Sequence, residues 1–199
     1  MLRILISLTI FLTIFSQSIN SNITNTIWVP PMKMEEPKPT ISIKKHLENN
    51  LLDDKQLDCM SKNIYFEAAI ESTAGKIAVG QVVLNRMNSK YYPDTVCEVV
   101  KQGRHYSNGF PVRDRCQFSW YCDGRIDDPN PGKTWNDAQD LADLVMQKHQ
   151  RRILIDITDG ATHYHANWME SFPNWSFHHK KVASIDRHIF YKAKKRNSR

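Results

Sequence analysis

The chain has 199 residues, carries a formal net charge of +6 and is 41% hydrophobic. That length leaves no room for two large domains; once the ends are set aside, one core of about 100 to 150 residues is expected. The basic excess favours anionic partners such as a cell wall, a membrane surface or nucleic acid, and charge alone does not choose among them.

The N-terminus reads MLRILISLTIFLTIFSQSIN: Arg3, an apolar run from Ile4 to Phe15, then Ser16-Gln17-Ser18. The run is short of the roughly 20 residues a spanning helix needs, so residues 1–18 are expected to be an export signal, with an uncleaved, transient membrane anchor as the alternative. Residues 19–50 contain Pro30, Pro31, Pro37 and Pro39 and no sustained apolar period, which predicts a linker. The folded unit is expected over 51–192, followed by a solvated basic tail at 193–199.

Within that unit, Leu57, Met60, Ile64, Glu67 and Glu71 step by three and four residues, the spacing of one helix face between Lys55 and Glu71. Two carboxylates therefore share the stripe that should face the core. An acid against apolar walls has its charged form disfavoured, which is what a general acid at neutral pH requires. Ser72 or Thr73 offers an N-cap for a second helix, GKIAVGQVVLNRM, with Gln81 and Asn85 as its polar edge. A third helix is predicted to open at Thr134, with Asp137 completing a capping-box variant and His149 at its C-terminal end. The loop DDPNPGKTW precedes it. RILIDIT, ATHYHA and RHIFYK are β-branched or aromatic and predict short strands of a small antiparallel sheet. The fold class expected is α+β, mainly helical.

Cys59, Cys97, Cys116 and Cys122 are even in number and contain no C-x-x-C pair, which disfavours a zinc knuckle or a thioredoxin-like site and suits two disulfides in an exported protein. In CQFSWYC a tight hairpin would close Cys116 onto Cys122, leaving Cys59 for Cys97; free buried thiols are the alternative.

Three chemistries compete for the polar clusters. His163 and His165, joined by His178 or His179, suit zinc, but the helical His-Glu-x-x-His pattern is missing and no acidic ligand follows at a familiar spacing. Serine or cysteine nucleophilic catalysis has no Gly-x-Ser-x-Gly elbow, and the thiols are expected to be paired. Glycoside cleavage needs a protonated acid in a cleft furnished with aromatics and amides. The chain offers Glu67 and Glu71, with Gln81, Asn85, Gln117, Phe118, Ser119, Trp120, His163, Tyr164, His165 and Trp175 as candidate groove residues. If 163–165 is a strand, His163 and His165 share one face and Tyr164 takes the other.

The blocks NIYFEAAIESTAGKIAVGQVVLNRMNSKYYPDTVCEVV, CQFSWYCDG, GATHYHANW and RHIFYK resemble, in this order, the SleB-type cell-wall hydrolases, over about residues 55–192. The resemblance implies a lysozyme-like, lytic transglycosylase-like fold acting on peptidoglycan glycan strands, between N-acetylmuramic acid and N-acetylglucosamine. It places the family's catalytic glutamate on Glu67 and its second glutamate on Glu71, in YFEAAIE. The sequence departs from the family at Ala69 and Ile70, where Arg-Gly is usual, and at Asp186 and Arg187, where a Gly usually precedes the region of His188. The expectation is an exported monomer in the periplasm, cell wall or extracellular space. It would serve wall remodelling or phage lysis, with no cofactor, metal or nucleic-acid partner. A non-catalytic wall-binding module is the first alternative and a secreted metal-dependent nuclease or peptidase the second.

Overall fold

The computed structural model describes residues 41–193, residues 41–52 as backbone only. The expected export segment, the first part of the linker and the tail beyond residue 193 lie outside the described residues. Among the described residues no helix is long and apolar enough to cross a membrane.

Four α-helices form the bulk of the domain: α1 (Ile41–Ala68), α2 (Thr73–Met87), the short α3 (Val96–Val100) and α4 (Lys133–Gln150). Helix α1 begins inside the stretch expected to be linker, because no glycine or proline follows Pro39 until Gly75. Its apolar stripe packs as its spacing requires, with Met60 and Ile64 buried against Val83 of α2, Val99 and Val100 of α3, and Ala138, Ala142 and Val145 of α4. Ser72 caps α2, its hydroxyl accepting from the Gly75 amide at 3.3 Å. Thr95 caps α3, its hydroxyl accepting from the Glu98 amide at 3.3 Å and donating to the Glu98 carboxylate at 2.8 Å. The capping box expected at Thr134 does not form: Gly132 is the N-cap residue, and Asp137 pairs with Lys133 at 2.7 Å one turn away.

A hairpin of β1 (Gly103–His105) and β2 (Pro111–Cys116) leads into a 3-10 turn at Ser119–Cys122. After α4 come β3 (His163–Ala166), a second 3-10 turn (Asn174–His178), β4 (His179–Ile185) and β5 (His188–Ala193). The last three strands form an antiparallel sheet in the order β3-β5-β4, with Tyr164 opposite Phe190 and His165 opposite Ile189. Phe190 is fully buried against Ala78 and Val82 of α2, and Tyr164 packs beside it, so this face of the sheet covers the helices.

RILIDIT is not a strand. Residues 153–157 run without a neighbouring strand, held instead by the Gln81 side-chain amide, which donates to the Ile155 carbonyl at 2.6 Å and accepts from the Ile157 amide at 3.0 Å. Both expected disulfides form, Cys59 with Cys97 and Cys116 with Cys122. The second does not close a hairpin; it ties the end of β2 to the end of the first 3-10 turn.

Candidate active site

A cleft of about 570 Å³ opens where the end of α1, the end of α2, the 116–120 segment and the sheet meet. Its size falls in the range of small-ligand sites. Phe66 and Glu67 come from the last turn of α1, Arg86 from the last turn of α2, Tyr164 and His165 from β3, and His188 from β5. The disulfide-bounded segment supplies Gln117, Phe118, Ser119 and Trp120, and the outer rim carries Asp123, Asp127 and Trp168.

Glu67 keeps partial exposure on the cleft side, and protein atoms close round its carboxyl on the others. Burial holds its pKa above the ordinary carboxyl value; the Tyr164 hydroxyl, which donates to Oε2 at 2.9 Å, and the charge of Arg86 oppose that rise without cancelling it. Tyr164 is itself driven well above the ordinary phenol value by burial and by Glu67, so it is a permanent donor. The apolar wall beside Glu67 is fixed by Phe66 stacked on Trp120 at 4.8 Å, and the Trp120 indole N–H donates to Asn63 at 3.1 Å. The arrangement is a carboxyl that holds its proton more tightly than an ordinary one, with Tyr164 already donating to one of its oxygens.

Of the residues singled out in the sequence, Glu67, Gln117, Phe118, Ser119, Trp120, Tyr164 and His165 border the cleft. Five others do not. Glu71 is buried and taken up by Arg187, whose guanidinium reaches Oε1 at 2.9 Å and whose backbone amide donates to Oε2 at 3.2 Å. Gln81 is spent on the 155–157 segment. Asn85 donates from one amide nitrogen toward Asp156, Thr158 and the Ala161 carbonyl, fixing the approach to β3. His163 and Trp175 lie on the outer face of the sheet, where the His163 ring sits 5.2 Å from Trp175 and 4.5 Å from His179. Burial lowers the His163 pKa to about 4, so the ring is neutral at physiological pH. As strand alternation requires, Tyr164 points to α1 while His165 packs with His163 against Trp175, its ring 5.7 Å from that indole. Among the described residues no three His, Cys, Asp or Glu side chains gather as a metal-ligand set.

The cleft also holds residues that sequence reasoning did not select: Arg86, Asp123, Asp127 and His188. Trp168, the last residue of the GATHYHANW block, stands 71% exposed on the rim, the placement of a platform for a ligand ring. Asp186 and Arg187, the departures near His188, are tied into the fold. Asp186 takes a left-handed backbone at φ 49° and accepts from the Ser72 amide at 2.9 Å and hydroxyl at 2.7 Å. Gly75 is required beside them, since a β-carbon there would collide with the Asp186 carboxylate and stand 2.8 Å from the Glu71 β-carbon.

A family model described as Cell Wall Hydrolase matches residues 70–191, a span that opens just after Glu67 and takes in the rest of the cleft. A spore cortex-lytic enzyme of Oceanobacillus iheyensis is 27% identical over 159 residues, covering 77% of this chain and 46% of that protein. The chain thus spans about half the length of the curated relative it matches. Among solved structures, the catalytic domain of Bacillus cereus SleB superposes with a TM-score of 0.51 at 24% identity, over 70% of this chain and 91% of that one. The catalytic domain of the germination-specific lytic transglycosylase SleB from Bacillus anthracis gives 0.51 at 26% identity, over 69% and 93%.

Proposed function

The chain belongs to the cell wall hydrolase family, and on that premise we propose that it cleaves the glycan strands of peptidoglycan as a lytic transglycosylase outside the cytoplasm. The observation that carries this reading is Glu67, a carboxyl that lines the cleft with its pKa held up by burial and with Tyr164 bonded to one oxygen.

In this mechanism Glu67 gives its proton to the oxygen linking N-acetylmuramic acid to N-acetylglucosamine. The bond from the muramic C1 to that oxygen breaks, the electron pair goes to the oxygen, and positive charge develops at C1. The new Glu67 carboxylate accepts from Tyr164 and faces that charge. The muramic 6-hydroxyl then attacks C1 and returns its proton to Glu67, giving a 1,6-anhydro end and the acid in its starting form. If water attacks instead, the product is a reducing end; Asp123 and Asp127, which line the cleft, are the candidates to assist it. Gln117 and Ser119 offer polar atoms for sugar hydroxyl and acetamido groups, and Trp168 a face for a ring. Export by residues 1–18, a tether at 19–40 and a basic tail drawn to an anionic wall complete the reading.

The test is mass spectrometry of the soluble products after the full, oxidised chain is incubated with peptidoglycan beside its Glu67→Gln variant. Anhydro-muramic ends from the parent alone are the expected result. Reducing ends would make the protein a hydrolase. Equal release by both proteins would remove Glu67 from the reaction, and pelleting with walls without release by either would favour the binding module.

A further inference from the structure

Arg86 is 4% exposed, in the last turn of α2, and borders the same cleft as Glu67 and Tyr164. Its Nε donates to the Thr162 carbonyl at 2.7 Å, and its guanidinium carbon lies 4.9 Å from the Phe118 ring centre and 5.5 Å from that of Tyr92. Among the described residues it forms no salt bridge, and its buried Nη1 has no hydrogen-bond partner. A buried charge without a counter-charge is strongly unfavourable, and a neutral amide could serve the bond to Thr162 equally well. The charge itself therefore calls for a partner that exists in only part of the reaction cycle.

We propose that Arg86 is a positioning residue acting through Glu67: its charge is matched when Glu67 becomes a carboxylate, which assists proton release during bond cleavage and keeps the anion in place as base for the second step. Nη1 is closed to solvent, so that nitrogen is not available to the glycan. The groups facing Glu67 are consistent with this role. Tyr164 from β3 donates to it, and His188 from β5 has its pKa lowered by burial, leaving its ring neutral. Asp123, Arg125 and Asp127 stand on the rim, and Glu71, one turn on, is engaged by Arg187. Arg86 is the buried cation that opposes the burial-driven rise of Glu67.

The inference rests on Glu67 being the acid, and its test separates the two. Carbon-detected NMR titration of the Glu67 carboxyl in the full oxidised chain is run on the parent, Arg86→Met, Arg86→Gln and Arg86→Lys, alongside the pH dependence of glycan release. Without the charge, Glu67 should titrate about one pH unit higher, and the alkaline limb of activity should move up with it. Arg86→Lys should bring both back toward the parent. An unmoved Glu67 titration in folded Arg86→Met, or in Arg86→Gln if the methionine variant does not fold, overturns the proposal and leaves Arg86 a structural residue. Should neither fold, the parent decides: Arg86 side-chain nitrogen resonances must shift as Glu67 titrates, and constant resonances overturn it. If Glu67→Gln still releases sugars, the proposed function falls while the measured coupling stands.

Discussion

Glu67→Gln should make the folded protein more stable at neutral pH although it removes the proposed acid. Burial raises the Glu67 pKa above its ordinary 4.5, so the folded chain holds this proton more tightly than the unfolded chain does. The stabilisation that comes from this proton is fully present below the ordinary carboxyl value and is lost as pH rises through the raised one. Glutamine is neutral throughout, and its carbonyl can accept from Tyr164 where Oε2 now does. Each unit of displacement corresponds to about 1.4 kcal/mol, so the gain of the variant at pH 8 reads out the displacement directly. For a domain of this size each 1 kcal/mol gained raises Tm by about 2–4 °C. Calorimetry of the two oxidised proteins from pH 3 to 8 should show the gap opening with pH and closing at the acid end. A variant less stable than the parent at pH 8, or a gap that does not change with pH, would refute the assignment of burial as the dominant cause.

Glu71→Gln should cost about 1–3 kcal/mol, because it weakens the pair with Arg187, whose side chain is 46% exposed, while the rate per folded molecule stays within about twofold; thermal melts and initial rates check both. Trp168→Ala should raise KM for soluble glycan fragments about three- to tenfold with kcat little changed, as expected for a rim platform that holds sugar and takes no part in bond cleavage. The paired change of Cys116 and Cys122 to serine should lower stability by about 2 kcal/mol and reduce activity more than that loss explains. The short loop they close carries Gln117, Phe118, Ser119 and Trp120 of the cleft wall, and circular dichroism with activity measured on the same sample separates the two effects.

What the sequence made legible was whatever depended on local periodicity. The three- and four-residue steps through Met60, Ile64 and Glu67 define the buried face of α1, and with it the direction in which the carboxyl points. Cysteine spacing led to both disulfides. Misreadings arose where a side chain stands in for backbone. Residues 153–157 have strand composition, but their ladder partner is the amide of Gln81, and Ile155 is left 81% exposed. Gln81 and Asn85 looked like sugar-binding amides for the same reason: a polar edge on an apolar helix implies a polar partner, and only the folded chain shows that the partner is the 155–161 segment. Arg86 stood unnoticed in LNRM because nothing local distinguishes a buried arginine from an exposed one. Strand β4, HKKVASI, hides behind its lysines, which point to solvent while its partner β5 carries the burial.

The turn between β4 and β5 reaches back to the junction of α1 and α2: Asp186 holds Ser72 across 114 residues of sequence, and Arg187 holds Glu71 beside it. This latch sits just past the end of α1, four residues beyond Glu67, and the strand after it, β5, pairs with the strand that carries Tyr164. It therefore sets how far the phenol stands from the carboxyl. A lineage that alters one side of it shifts the geometry around Glu67 unless the other side changes too. Positions 71, 72 and 75 are thus expected to be inherited together with 186 and 187 as a single character, and grafting either half into a relative should fail where grafting both succeeds.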